Sequence, residues 1–375
     1  VTFTSIHYNL KRKYFSEDLK QILSNPNHEL YHYNIIYEST AFDDKGSSEY
    51  IQSFLSWQHH LTKNIVVNSG MHYLKFNLNN DYSVEPRINM KWQINPNQSI
   101  SMGFGQHSRI EALVNHLQSL ILNNDTIIHM PNKNMKMTKA KHYIVGYSIT
   151  PINSLRFQIE AYYQDIYNVP VDTNQYSNKF SIINISNGYN NTRSIYQNIG
   201  TARNYGIELT IEKPFSNNYY LLFSSSIFES KYTPYDGAER DTRYNSNYIF
   251  NLLAGKEYKV GRNSKDNLIG INIKSTWIGG QRYTPIDLER SIELGEQRFK
   301  YNDPYSAKAD DYYRIDLQFY FRKNHANYTS EWRIDIQNLT NRNNVIGYYY
   351  NVSEQKIDKT TQIGIIPFIS YRIEF

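Results

Sequence analysis

The sequence predicts an all-β protein, a transmembrane antiparallel β-barrel. Three features lead there. Segments in which apolar and polar residues alternate recur along nearly the whole chain. Short polar connections between them alternate with long ones. The chain stops on an aromatic residue inside such a segment, in "TQIGIIPFISYRIEF", Thr361–Phe375.

Side chains of an extended backbone point alternately to two faces, so a period of two marks a strand between two different environments. The stretch 1–40 is the least regular, and "SEDLKQIL" (Ser16–Leu23) reads as a short capped helical turn in a loop. In "SVEPRINMKWQI" Val84, Pro86, Ile88, Met90, Trp92 and Ile94 oppose Glu85, Arg87, Asn89, Lys91 and Gln93. In "LRFQIEAYYQ" Leu155, Phe157, Ile159, Ala161 and Tyr163 oppose Arg156, Gln158, Glu160, Tyr162 and Gln164. "NYGIELTIE" sets Tyr205, Ile207, Leu209 and Ile211 against Asn204, Gly206, Glu208, Thr210 and Glu212. "YYRIDLQFYFR" and "EWRIDIQN" repeat the pattern, with Arg314, Asp316, Arg333 and Asp335 on the polar side. "NIVVNSGMHYLKF", "SISMGFGQH", "HYIVGYSIT" and "LIGINIKSTWIGG" are less clean copies. In the tail Tyr371, Ile373 and Phe375 alternate with Arg372 and Glu374. Several apolar faces run about ten residues and end in Tyr or Trp, which matches the 9–11 residues a tilted strand needs to cross a bilayer.

Periodicity alone leaves a soluble sandwich open, because that too is apolar on one side. The connections separate the two. Short joints lie near Lys63 and at 95–98, 150–154, 213–218, 261–267 and 323–330; long ones span 109–139, 169–203, 232–243 and 282–310. Tight turns at one end and long loops at the other are the pattern of an outer-membrane barrel. About 13–15 strands can be counted, so the chain is either a smaller barrel or part of a larger one.

Composition narrows the function. No run of 18 apolar residues exists, so no transmembrane helix is expected. The absence of cysteine excludes disulfides, thiolate metal sites and cysteine nucleophiles. A net charge of +5 over 375 residues makes no case for nucleic acid. Tyrosine is the outlier, 35 residues against 17 phenylalanines, and a ring with a polar tip suits a lipid–water boundary. Val1 opens neither a signal peptide nor an initiator Met, so a processed or truncated piece is expected.

No H-E-x-x-H, nucleophile elbow or P-loop occurs. "MGFGQH" lacks a third glycine; Gly103 and Gly105 are expected to relieve crowding where a strand bends. His72, His107 and His142 all fit the polar face, where hydrated histidines are favoured over a metal or haem role. The acids Glu160, Glu208, Glu212, Asp316 and Asp335, beside Arg156, Arg314 and Arg333, read as cross-strand ion pairs rather than a catalytic set. "IEALVNHLQSLIL" (Ile110–Leu122) has helical spacing and reads as a helix packed inside an outer loop. Neither an enzyme nor a cofactor site is expected.

The pieces "RFQIEAYYQDIYNVPV", "GTARNYGIELTIEKPF", "STWIGGQRYTPID", "EWRIDIQNLTNRNNVIGYYYN" and "GIIPFISYRIEF", in this order, resemble the C-terminal barrel of TonB-dependent outer-membrane receptors of the Bacteroidetes type, roughly over Tyr50–Phe375. The resemblance implies a barrel of the large, 22-strand type. It implies residues 1–375 as one barrel portion, with the family's plug domain and TonB-contacting segment absent from this chain. It implies TonB-energised uptake of a large scarce solute, with a ferric siderophore or other metal chelate favoured, in the outer membrane of a Gram-negative bacterium. On that basis Glu85, Arg87, Arg156, Glu160, Arg203, Glu208, Glu212, Arg314, Asp316, Arg333 and Asp335 are expected to face the lumen and meet plug or substrate. Tyr371, Ile373 and Phe375 resemble the C-terminal signal read by the barrel-assembly machinery. Expected partners are outer-membrane lipid, the TonB complex, that machinery, the solute and a surface lipoprotein. The alternative is a structural or assembly barrel subunit without transport activity; a soluble β-sandwich adhesin stands behind both.

Overall fold

The computed structural model describes residues 2–15, 38–117, 120–121, 127–152, 154–173, 179–185, 194–261 and 267–375. Ser16–Leu23 lies outside them. The alternating segments pair with their chain neighbours into one antiparallel sheet, in the order β1 (Thr2–Phe15), β2 (Glu38–His60), β3 (Ile65–Phe76), β4 (Asp81–Asn95), β5 (Gln98–Arg109), β6 (Thr138–Ile152), β7 (Leu155–Asp172), β8 (Tyr196–Ser216), β9 (Tyr219–Thr233), β10 (Tyr248–Val260), β11 (Asn267–Ile278), β12 (Tyr312–Asn324), β13 (Thr329–Gln337) and β14 (Ile366–Glu374). A two-residue strand, Arg240–Asp241, completes this 15-stranded sheet beside β9. Thr2–Phe15 is thus a strand, where the stretch 1–40 was expected to be irregular. Among the described residues no ladder joins β1 to β14, so the sheet is open.

Turn chemistry sets the registers. Asn217 and Asn218 both have positive φ, 52° and 65°, the backbone of a tight hairpin whose twist matches its strands. In the β2–β3 turn the Thr62 hydroxyl accepts from the amides of Asn64 and Ile65, at 3.2 and 3.0 Å. The short joints all fall at the end where β14 finishes. The opposite end carries long connections, including 338–365, which the sequence reading did not single out, and one four-residue exception at 77–80.

Because pairing is in register, side-chain parity runs across the whole sheet. Leu55, Ile207, Ile227 and Ile369 share one face and are each more than half exposed. Contiguous apolar exposure on this scale marks a surface covered by another apolar phase, here lipid. Among the described residues no helix is long and apolar enough to cross a membrane, so crossing falls to strands.

Buried cores lie among the loops. Leu74 and Phe76 pack with Leu113, Leu117 and Met137 under the helix α1 (Leu113–Leu117). The helix expected over Ile110–Leu122 is therefore shorter, and 118–119 and 122–126 lie outside the described residues. Residues 129–137 then brace three hairpins. The Asn79 side chain donates to the Met135 carbonyl (2.7 Å), and Asn132 bonds Ser194 and Tyr196 at 2.8 Å each.

Candidate functional site

Two regions carry chemistry: the polar face of the sheet and a vestibule among the long loops.

On the polar face, β3, β4 and β5 meet at Glu85, whose side chain is 2% exposed. Its carboxylate accepts from His72 Nδ1 (3.0 Å), from Arg87 Nη2 (2.9 Å) and from the Ser108 hydroxyl. His72 Nε2 in turn lies 3.2 Å from Gln52 Oε1 on β2. A buried carboxylate with three donors is fully satisfied and ties neighbouring strands together. Gly103 and Gly105 lie directly opposite Asn89 and Arg87; a Cβ on Gly105 would sit 3.0 Å from the His107 ring. A Cβ on Gly103 would make only ordinary contact with Asn89 at 3.5 Å, so the close approach is confined to Gly105. The rings of His107 and His142 lie 4.5 Å apart. Among the described residues no group of three metal-ligating side chains is arranged to hold an ion.

The other polar-face positions follow the pairing. Arg156 meets Glu212 at 2.5 Å across β7 and β8, Arg314 meets Asp316 at 2.6 Å, and Arg333 meets Glu331 at 2.5 Å. Asp335 accepts from Gln318. Glu160 and Glu208 differ from expectation: they stand directly opposite each other, and neither has a cationic partner among the described residues. Like charges in that position repel, so this pair is not the ion-pair ladder expected for these acids. Arg203 is the second correction. It pairs across to Lys231 and shares parity with Tyr205 and Ile207, so it lies on the apolar face, where it bonds Glu239 at 2.8 Å. β8 has 21 residues, about twice what crosses a bilayer, so a charge near its loop end stands above the lipid. Apart from Arg203, the predicted residues share the polar face but form separate groups along it.

Sequence reasoning missed the cross-strand partners of three tyrosines. Tyr162, Tyr220 and Tyr320 lie opposite Gly206, Gly255 and Gly270, and each ring or hydroxyl occupies the space a Cβ would fill. Tyr220 donates to Asn272 at 2.9 Å and Tyr320 to Glu257. No local signal marks such a pair, because it exists only once the register is known.

The vestibule, about 690 Å³, lies between loops 234–247, 279–311 and 338–365. Its walls are aromatic: Tyr283 stacks on Tyr348 (4.6 Å, 18°), and Phe299, Tyr301 and Tyr305 line the other side. Burial raises the Tyr283 and Tyr305 hydroxyls above the ordinary phenol value, keeping them neutral donors. Volume and lining suit a drug-sized or chelate-sized ligand.

An open antiparallel wall, lipid-covered on one face, charged on the other and looped at one end, defines a part of an outer-membrane β-barrel. The chain belongs to the TonB-dependent receptor-like β-barrel family, whose family model matches residues 7–341. Its fold is similar to the ferric yersiniabactin uptake receptor FyuA of Yersinia pestis, with a TM-score of 0.60 and 12% identity over 88% of this chain and 46% of that one. It is also similar to the ferric-catecholate import receptor Fiu of Escherichia coli K12, with a TM-score of 0.57 and 11% identity over 88% and 45%. The ferripyoverdine receptor of Pseudomonas aeruginosa gives 0.61 and 9% over 91% and 41%. The chain thus spans less than half the length of these receptors. No curated protein matches it in sequence. The family is one of transport receptors of the Gram-negative outer membrane, and that is where this chain resides. The Bacteroidetes type remains a sequence resemblance.

Proposed function

We propose that this chain forms the wall of a TonB-dependent transporter that takes up a large solute, a ferric siderophore or similar chelate. The observation that carries it is the family match over residues 7–341 on a sheet with the two faces such a barrel needs. Structural relatives named for ferric yersiniabactin, a ferric catecholate and ferripyoverdine support the choice of solute. Solute enters at the aromatic vestibule, and the charged polar face holds a plug that the TonB complex displaces. Glu160 and Glu208, unpaired and adjacent, suit a cationic plug side chain. No catalytic step is assigned. Tyr371 and Ile373 lie on the outer face of β14, Phe375 follows directly after it, and the three serve barrel assembly; a surface lipoprotein is a further partner of the loops. No observation favours the non-transporting alternative.

The test is iron uptake by cells that do or do not carry the gene, with and without an active TonB complex. Uptake of a ferric chelate that needs both supports the proposal. Equal uptake in all strains, over a panel of chelates, sinks it.

A further inference from the structure

A row of rings crosses the lipid face. Phe104, Tyr143, Tyr163 and Tyr205 stand directly opposite one another on β5 to β8, their centres 5.2, 6.4 and 6.5 Å apart. Such a row sits at the boundary of hydrocarbon and water. Two residues nearer the loops, the next row is Gln106, Lys141, Asp165, Arg203 and Lys231. It stands at headgroup level, and on the outer leaflet, because the long connections lie beyond it. Arg203 and Lys231 are committed there, to Glu239 and Asp241. Lys141 is not: its Nζ lies 5.3 Å from the centre of the Tyr167 ring, and Asp165, though opposite, makes no ion pair with it. Lys139 donates to the Tyr82 carbonyl at 3.4 Å, and Tyr82 faces Lys75 across β3 and β4. Lys75, Lys139 and Lys141 are half-buried on this face, and none has a carboxylate partner among the described residues.

These lysines stand at the foot of the α1 core. Phe76 follows Lys75, Met137 precedes Lys139 by two positions, and both pack in that core. The Met137 amide donates to Asp81 at 2.7 Å, beside the Lys139–Tyr82 bond. The β4–β5 ladder stops at Arg87 and Gly105, so beyond it these two bonds join β4 to the start of β6. Ammonium groups just above a ring boundary attract phosphate, each adding about fivefold to the affinity for an anionic lipid surface. The outer leaflet of a Gram-negative bacterium is built of glycolipid bearing phosphate monoesters. A monoester carries about −1.5 to −2 charge and three acceptor oxygens; a phospholipid diester carries a single charge. Three lysines less Asp165 leave a charge of about +2, which a monoester cancels and a diester does not. We propose that Lys75, Lys139 and Lys141 bind a phosphate monoester of an outer-leaflet glycolipid, and that the bound lipid clamps the α1 core to the sheet. The site needs the outer-membrane placement of the chain and no particular solute.

The experiment titrates the purified receptor in detergent, by native mass spectrometry, with three lipids: bis-phosphorylated lipid A, the same lipid after phosphatase treatment, and phosphatidylglycerol. Lipid A is expected to bind tightest, by at least about tenfold over either of the others. Lys75→Gln, Lys139→Gln and Lys141→Gln each lower lipid A affinity by about fivefold, and together by about 100-fold. Lys75→Arg/Lys139→Arg/Lys141→Arg keeps it within about threefold, since the charge is retained. Lys274→Gln, on the polar face of β11 opposite Asp316, stays within about twofold, because that lysine is far from any headgroup. Each single variant keeps two of the lysines, so the outcome does not depend on the triple variant folding. Hydrogen exchange reads the clamp: lipid A raises the protection factors of residues 129–137 in the unaltered chain and not in the triple glutamine variant. Equal lipid A affinity of the unaltered chain and the glutamine variants, or phosphatidylglycerol bound as tightly as lipid A, overturns the site. Lipid A binding that leaves the protection of 129–137 unchanged overturns the clamp.

Discussion

Gly270→Ala tests whether tyrosine–glycine pairs hold the wall together. The new methyl group would overlap the Tyr320 ring, which lies flat over Gly270 on the neighbouring strand. Tyr320 must swing away and lose its bond to Glu257. Overpacking costs about 1–3 kcal/mol. The lost bond to a carboxylate adds about 1 kcal/mol after allowance for its partial exposure to water. A total of roughly 2 kcal/mol follows, at the lower end because the ring can move into the lumen. The assay is urea unfolding of the membrane-reconstituted protein, read by the gel shift that separates folded from heat-unfolded barrel. The decisive comparison is a double-mutant cycle: in a Tyr320→Ala background the methyl group meets nothing, so Gly270→Ala should cost less than about 0.5 kcal/mol there. Equal costs in the two backgrounds would show that the glycine matters for backbone reasons and not for the ring above it.

Three further outcomes are expected. Ile273→Arg, on the lipid face in the middle of β11, should cost about 2–4 kcal/mol, while Thr276→Arg on the polar face of the same strand should cost under about 1; equal costs would reverse the assignment of faces. Arg203→Ala should leave the urea midpoint unchanged within error, because its pair with Glu239 is exposed and screened by water; a clear shift of the midpoint would count against that reading. His116 in α1 is buried, and its ring nitrogens lack hydrogen-bond partners among the described residues. Burial lowers its pKa from 6.5 to about 4, outweighing the nearby backbone of Lys133 and Asn132 and the charge of Asp81. The folded state therefore resists protonation that the unfolded loop accepts, so stability is intact above pH 6.5 and falls between pH 6.5 and 4, by up to about 3 kcal/mol. The protection factors of residues 129–137, corrected for the pH dependence of intrinsic amide exchange, should fall as pH is lowered over that window, and His116→Leu should flatten the fall; a fall of the same size in the variant would show that His116 is not its source.

The all-β class, the two faces of β3–β8 and β11–β14 and most of the sorting of short from long connections were legible in the sequence, whereas β1, β2, β9, β10 and the long connection 338–365 were not singled out. Each legible feature is a local property: a period of two, a turn composition, a spacing. The polar positions of β4, β7, β8, β12 and β13 could be read for the same reason. Arg203 was misplaced because its charge was weighed above its parity with Tyr205, and no local rule states where along β8 the lipid ends. Thr2–Phe15 was missed because its alternation is poor and its pairing with β2 supplies what pattern does not.

By itself the sequence determined an antiparallel wall with a lipid side and a wet side, since alternation along a pleated backbone needs no knowledge of neighbours. Only the tertiary structure decided who the neighbours are. Register placed Glu85 among donors from three strands, set Glu160 against Glu208, and laid Tyr320 over Gly270. Loop packing, which follows no period, gathered residues from distant hairpins into one vestibule.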